Sequence, residues 1–303
     1  MRRSHVVLVA VLAVAGLLTG CDSDDPSGGP APRVIRPGDA YVALGDSYTA
    51  VPGTGKSVDD SGCNNTVVNY PHLVGAELDL DLTDNSCDGA STTNLTEDQC
   101  VRACQARDPS FQTLIPPQLN GIDEDTRLVT FRLGANDYGL IGRIIGCASL
   151  GPATGSPCAD ADAAMGADSV DPRLRDMEDN VRRGIEEIQD RAPDARIIVL
   201  GYPRIAPDEG TCDLLPLSDD DYAYARHVME GINAALSAVA EAADLTFIDV
   251  YAASEGHDVC SADPWVAGWT PITSPPPEGA RRLHPYAAAA EAESALILEA
   301  LKP

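Results

Sequence analysis

Four short phrases carry side chains suited to acyl transfer: Gly45-Asp46-Ser47-Tyr48, Cys87-Asp88-Gly89-Ala90, Gly134-Ala135-Asn136-Asp137 and His284-Pro285. A serine hydroxyl is a poor nucleophile until a base takes its proton, and an imidazole does this near neutral pH. The tetrahedral oxyanion that follows needs fixed donors, which backbone N–H groups and an asparagine amide supply. Each phrase alone has a plainer reading. Gly-Asp-Ser is a turn that caps a helix, Gly-x-Asn-Asp an Asx turn, and His before Pro a loop residue. Their order along the chain, and their position at the ends of apolar runs, give the set its weight.

Those runs are the elements that must position the chemistry. Ala40–Leu44, Leu128–Leu133, Arg196–Leu200 and Leu245–Val250 are short apolar segments closed by turn residues, the pattern of buried strands. Leu78, Leu80 and Leu82 alternate with polar residues, which predicts a further strand. Between them lie helical patterns: Asn69–Glu77 with Pro71 in its first turn, Leu174 to Ile188 at steps of three and four, Val228 to Val239, and the Ala-rich Tyr286–Leu301. Strands separated by helices predict an α/β fold, a parallel sheet covered on both faces. Ligands of such sheets bind at the carboxyl ends of the strands, where the four phrases fall. No internal repeat is present. Ile145–Val170 and Glu255–Arg282 lack period and read as long loops, the second holding Trp265 and Trp269. Ile141, Ile144 and Ile145 with the two tryptophans either form an apolar wall for an acyl chain or pack as core.

The ordered set Gly45-Asp46-Ser47-Tyr48, Gly89, Gly134-Ala135-Asn136-Asp137 and His284-Pro285 resembles the SGNH hydrolases, or GDSL esterases/lipases, over about Asp39 to Leu301. Asn69-Tyr70-Pro71, Ser86–Ala90, Pro193–Arg196, Gly201-Tyr202-Pro203 and Gly256–Cys260 are similar to the exported bacterial branch of that family. The resemblance implies a three-layer α/β/α sandwich with a five-stranded parallel, flavodoxin-like sheet. It implies Ser47 as nucleophile and His284 as general base. The Ser47 N–H, the Gly89 N–H and the Asn136 amide are then the oxyanion hole. No cofactor or metal is implied. The family often places Asp three residues before the His, whereas this chain has Arg281, so the expectation is a dyad in which the Arg281 backbone C=O orients His284. Glu278, Asp258 and Asp263 are rival orienters.

The reading is thus a serine carboxylic-ester hydrolase working through an acyl-enzyme on Ser47. The alternatives are an O-acetyl esterase of a cell-envelope glycan and an inactive SGNH-fold binding lipoprotein. The charge is −26, with 47 acids against 21 Lys and Arg, which excludes a phosphate-binding basic surface and so a nucleic-acid partner. The partner expected instead is a small-molecule or lipid ester.

The start of the chain predicts export. Arg2 and Arg3 precede an apolar run, Val6–Leu18, too short to span a bilayer comfortably, and Leu18-Thr19-Gly20-Cys21 resembles a bacterial lipobox. Residues 1–20 then form a lipoprotein signal, lipidated Cys21 anchors the chain to the outer face of the cell membrane, and 21–38 is a Pro/Gly/Ser/Asp-rich tether before a hydrolase domain at 39–303. Loss of residues 1–20 removes Arg2 and Arg3 and no acid, moving the charge from −26 to −28. A tethered monomer is the simplest form.

Eight further cysteines, an even number in an exported chain, predict disulfides. The count does not fix their connectivity. Pairing by proximity gives Cys63–Cys87, Cys100–Cys104, Cys147–Cys158 and Cys212–Cys260. The family resemblance supports the first, third and fourth. His72, His227 and His257 read as structural, and the acidic runs as solvated faces without EF-hand spacing.

Overall fold

A computed structural model of the chain describes residues 34–269 and 279–302. The signal, Cys21 and most of the tether lie outside the described residues, as does Glu278.

Five strands form one parallel sheet: β1 (Ala40–Gly45), β2 (Asp81–Asp84), β5 (Thr126–Arg132), β6 (Arg196–Leu200) and β7 (Thr246–Ile248), in the spatial order β2-β1-β5-β6-β7. This is the flavodoxin-like order, with its crossover reversal between β1 and β5. Strand side chains alternate between two cores. Val42, Leu44, Val129, Phe131, Ile197 and Val199 pack beneath α3 (Leu140–Leu150), α5 (Val170–Arg191) and α6 (Asp221–Ala242). Tyr41, Ala43, Leu128, Ile198 and Leu200 pack on the other face, against α2 (Tyr70–Leu78) and α8 (Ala287–Ala300). The layering is the expected α/β/α sandwich.

Short helices α1 (Ser47–Ala50), α4 (Pro157–Ala164) and α7 (Val250–Ala253) complete the set. Among the described residues no helix is long and apolar enough to cross a membrane.

Two local expectations fail for physical reasons. Leu78 ends α2 rather than opening a strand, because Asp79 takes a left-handed conformation (φ 53°) and the N–H of Leu80 returns to the Gly75 carbonyl at 2.9 Å. Ile145–Val170 is largely helical. The apolar face of α3 is legible, but α4 buries none of its own residues, so it shows no period. A tertiary contact caps it instead: Asp221 of α6 accepts from the N–H groups of Cys158 and Ala159, each at 3.1 Å. The structure also adds a small antiparallel ribbon, β3 (Gln99–Arg102) with β4 (Thr113–Ile115), too short and exposed to leave a pattern in the sequence.

All four disulfides form as paired by proximity: Cys63–Cys87, Cys100–Cys104, Cys147–Cys158 and Cys212–Cys260. Cys147–Cys158 ties α3 to α4, and Cys63–Cys87 braces the turn after β2. Four bridges are consistent with an oxidising compartment and hence with export.

Candidate active site

The end of β1 is held by an amide clamp. Gln118 accepts from the Gly45 N–H and donates to the Gly45 carbonyl, both at 2.9 Å. A Cβ at Gly45 would lie 2.2 Å from Thr49 Oγ1, so only glycine lets the chain turn here. Asp46 then caps α1 by accepting from the Tyr48 N–H at 2.9 Å. Ser47 occupies the first helical position and is 6% exposed. At that position its N–H has no intrahelical partner.

Two other strand ends meet this turn. After β2, Gly89 sits at φ 78°, a left-handed conformation that glycine adopts freely. Among the described residues, neither the Ser47 nor the Gly89 N–H donates to another backbone group. After β5, Asn136 donates one Nδ2 proton to the Ala90 carbonyl at 2.8 Å, leaving the second uncommitted. Asp137 anchors this turn from below, accepting from the Thr92 N–H at 2.8 Å and from Asn180 at 3.0 Å.

His284 arrives on a segment zipped to its neighbour. The N–H of Leu283 donates to Ala267 at 3.0 Å, that of Ala267 to His284 at 2.9 Å, and that of Tyr286 to Trp265 at 2.8 Å. Leu283 is held at φ 53°, a strained conformation for a non-glycine residue, and its carbonyl accepts the Tyr48 hydroxyl at 2.6 Å. The Tyr48 ring stacks on the imidazole, centroids 5.8 Å apart. Burial pushes the His284 pKa below its ordinary value, opposed by its bond to the Arg282 carbonyl and by the Asp88 charge, with Arg281 adding to the depression.

Ser47, Gly89, Asn136 and His284 line one cleft of about 190 Å³, with Ile141, Ile145 and Leu283 as its apolar wall and Asp88 on its rim. The GDSL-like lipase/acylhydrolase family profile matches residues 43–292. The chain belongs to this family. A lipase of Streptomyces coelicolor, "Lipase 2", is 33% identical over 267 residues, covering 85% of this chain and 84% of that one. The crystal structure of an extracellular lipase from Streptomyces rimosus superposes with a TM-score of 0.67 at 26% identity, over 87% of this chain and 99% of that one. A phospholipase A1 from Streptomyces albidoflavus shares the fold, with a TM-score of 0.66 at 24% identity over 88% and 100% of the two chains. By its family and relatives this GDSL hydrolase is a lipase/esterase.

One sequence expectation for this GDSL hydrolase is corrected. The carbonyl facing the imidazole is that of Arg282, 2.7 Å from Nδ1, and not that of Arg281. The Arg281 carbonyl accepts the His284 backbone N–H at 3.1 Å instead. The reversal at Leu283 decides this, and no residue type announces it. Nor do the rival acids within the described residues serve His284. Asp258 accepts from the Cys260 N–H at 2.8 Å, and the Asp263 backbone carbonyl lies 2.7 Å from Nδ1 of His257.

The isoleucine cluster divides. Ile141 and Ile145 face the cleft, while Ile144 is fully buried in the core. Trp265 is buried against the α8 face and stacks on His257 at 4.7 Å, and Trp269 lies under the Arg282 guanidinium at 4.3 Å. Neither lines the cleft. The supporting roles of Tyr48, Tyr202 and Gln118 had no signal in the sequence, because each acts across more than sixty positions of chain.

Proposed function

We propose that this GDSL hydrolase cleaves carboxylic esters through an acyl-enzyme on Ser47, with His284 as its base. The observation that carries the reading is the shared cleft: one hydroxyl, one imidazole, two free backbone N–H groups and one amide proton. A carbonyl only accepts, so the contact with Arg282 assigns the imidazole proton to Nδ1 and leaves Nε2 as the base. The depressed pKa keeps that base neutral at physiological pH.

Ser47 Oγ attacks the ester carbonyl carbon as Nε2 takes its proton. The carbonyl oxygen becomes an oxyanion, stabilised by the Ser47 and Gly89 N–H groups and the Asn136 amide. Collapse breaks the bond to the alkoxide, which leaves with the proton from Nε2. Water then attacks the acyl-Ser47 carbonyl as Nε2 takes its proton, and collapse breaks the bond to Ser47 Oγ, which leaves with that proton from Nε2, releasing the acid and free Ser47. The Arg282 carbonyl orients the ring as the acid of a triad does elsewhere, a dyad arrangement. The small cleft walled by Ile141 and Ile145 favours short acyl groups. The lipobox-like Leu18–Cys21 supports a lipid anchor at Cys21 that holds the domain outside the membrane.

A p-nitrophenyl ester series from acetyl to palmitoyl, with residues 22–303 beside Ser47→Ala and Asn136→Ala, tests this. Turnover is expected with the short esters. It should be abolished in Ser47→Ala and reduced about 10²–10³-fold in Asn136→Ala. Hydrolysis of the acetyl ester alone turns the reading to an O-acetyl esterase of a glycan. Absence of turnover and of fluorophosphonate labelling at Ser47 overturns it in favour of a binding protein.

A further inference from the structure

Arg281 stands three residues before His284, and its guanidinium bonds the carboxylate of Asp88, a residue that lines the cleft. The pair joins the loop that carries Gly89 to the loop that carries His284. Asp88 is fixed from several directions. Its Oδ2 accepts from Asn64 Nδ2 at 3.0 Å, and its N–H donates to the Cys63 carbonyl at 3.0 Å. Its own carbonyl accepts from Gln99 Nε2 at 2.8 Å, and the Cys63–Cys87 bridge adjoins it. The two charges are unequally screened: the Asp88 side chain is 18% exposed and lines the cleft, while that of Arg281 is 49% exposed. Water therefore weakens the field of the guanidinium more than that of the carboxylate.

We infer that Asp88 is an electrostatic positioning residue for His284. From the lining of the same cleft it supplies the negative charge that stabilises the imidazolium, in place of an acid three residues before the histidine, and Arg281 holds and attenuates it. This rests on His284 being the base. The other groups facing the imidazole do not compete for the role. Tyr48 stacks on it, and its burial holds the phenol neutral. Asp46, on the same cleft, is committed to Tyr202 and the Tyr48 N–H. The Arg282 guanidinium lies over Trp269. Asp88 pulls the His284 pKa up while Arg281 pulls it down, and of the two the carboxylate has the larger effect.

The pair makes opposite predictions for its two members, which a merely structural bridge does not. In pH profiles of kcat/KM on a short p-nitrophenyl ester, Asp88→Asn should move the acid limb to lower pH and Arg281→Gln to higher pH, each by roughly half a unit. Plateau kcat should fall several-fold in Asp88→Asn only, and Arg281→Lys should restore the wild-type limb. The same displacements should appear when the His284 ring is titrated by NMR in a Ser47→Ala background. That readout needs no turnover, so it separates failure of this inference from failure of the esterase reading. Limbs that shift in the same direction in both variants, or in neither, overturn the proposal.

Discussion

Asp46 stands one residue before the proposed nucleophile and is fully buried. Burial pushes its pKa up to about 7, despite the Tyr202 hydroxyl at 2.7 Å, the Tyr48 N–H at 2.9 Å and the charge of Arg132. A carboxyl whose folded pKa lies above its unfolded value of 3.8 stabilises the fold fully below that value. That contribution is lost as pH rises through about 7. Asp46→Asn has no such charge to bury. Denaturant midpoints of the two proteins should therefore diverge between pH 4 and pH 8 in favour of the variant, by about 2–4 kcal/mol at the upper end. Parallel stability profiles would show that Asp46 is compensated throughout. The residue types of this turn were readable in the sequence. The hydroxyl that binds the carboxylate comes from position 202, and nothing local to Asp46 points to it.

At the scale of elements, β5 and α8 meet beneath the site through a buried ion pair, Arg132 with Glu293 at 2.8 Å, both side chains inaccessible to solvent. The same guanidinium donates to the Tyr48 carbonyl at 3.2 Å in α1 and lies over the Tyr70 ring at 5.1 Å. The strand that leads to Asn136 thus also supports the turn that carries Ser47. Arg132→Met leaves the Glu293 carboxyl buried and without its partner, an expected loss of about 3–5 kcal/mol in chemical denaturation. Arg132→Met/Glu293→Leu should recover most of that loss while kcat stays low, because the bond to Tyr48 is still missing. A double variant no more stable than the single one would refute the pairing argument. The strands and long helices were legible because their apolar periods are strong. Helix α4 was not, because its cap comes from α6 and its own residues bury nothing.

For the whole molecule, the charge of −28 left after loss of residues 1–20 repels anionic headgroups, so the proposed retention at a membrane depends on a lipid on Cys21. Full-length protein should fractionate with membranes and enter the detergent phase, whereas Cys21→Ala should not. Equal release of both into the medium would remove the anchor. The four bridges of the eight remaining cysteines are consistent with export, since disulfides persist in an oxidising compartment.

By itself the sequence determined the alternation of strands and helices, the family resemblance, and the identity of Ser47, Gly89, Asn136 and His284 as candidates. Each of these depends on residue type and local period, which the chain displays directly. Only the tertiary structure decided which carbonyl faces His284, because a left-handed Leu283 sets the direction of the ring. Only it showed that Ile145 lines the cleft while Ile144 is core, and that Asp88 meets Arg281 across 193 positions of chain. Those are facts of long-range packing, in which the partner of a side chain is chosen by the fold and leaves no mark on its neighbours in sequence.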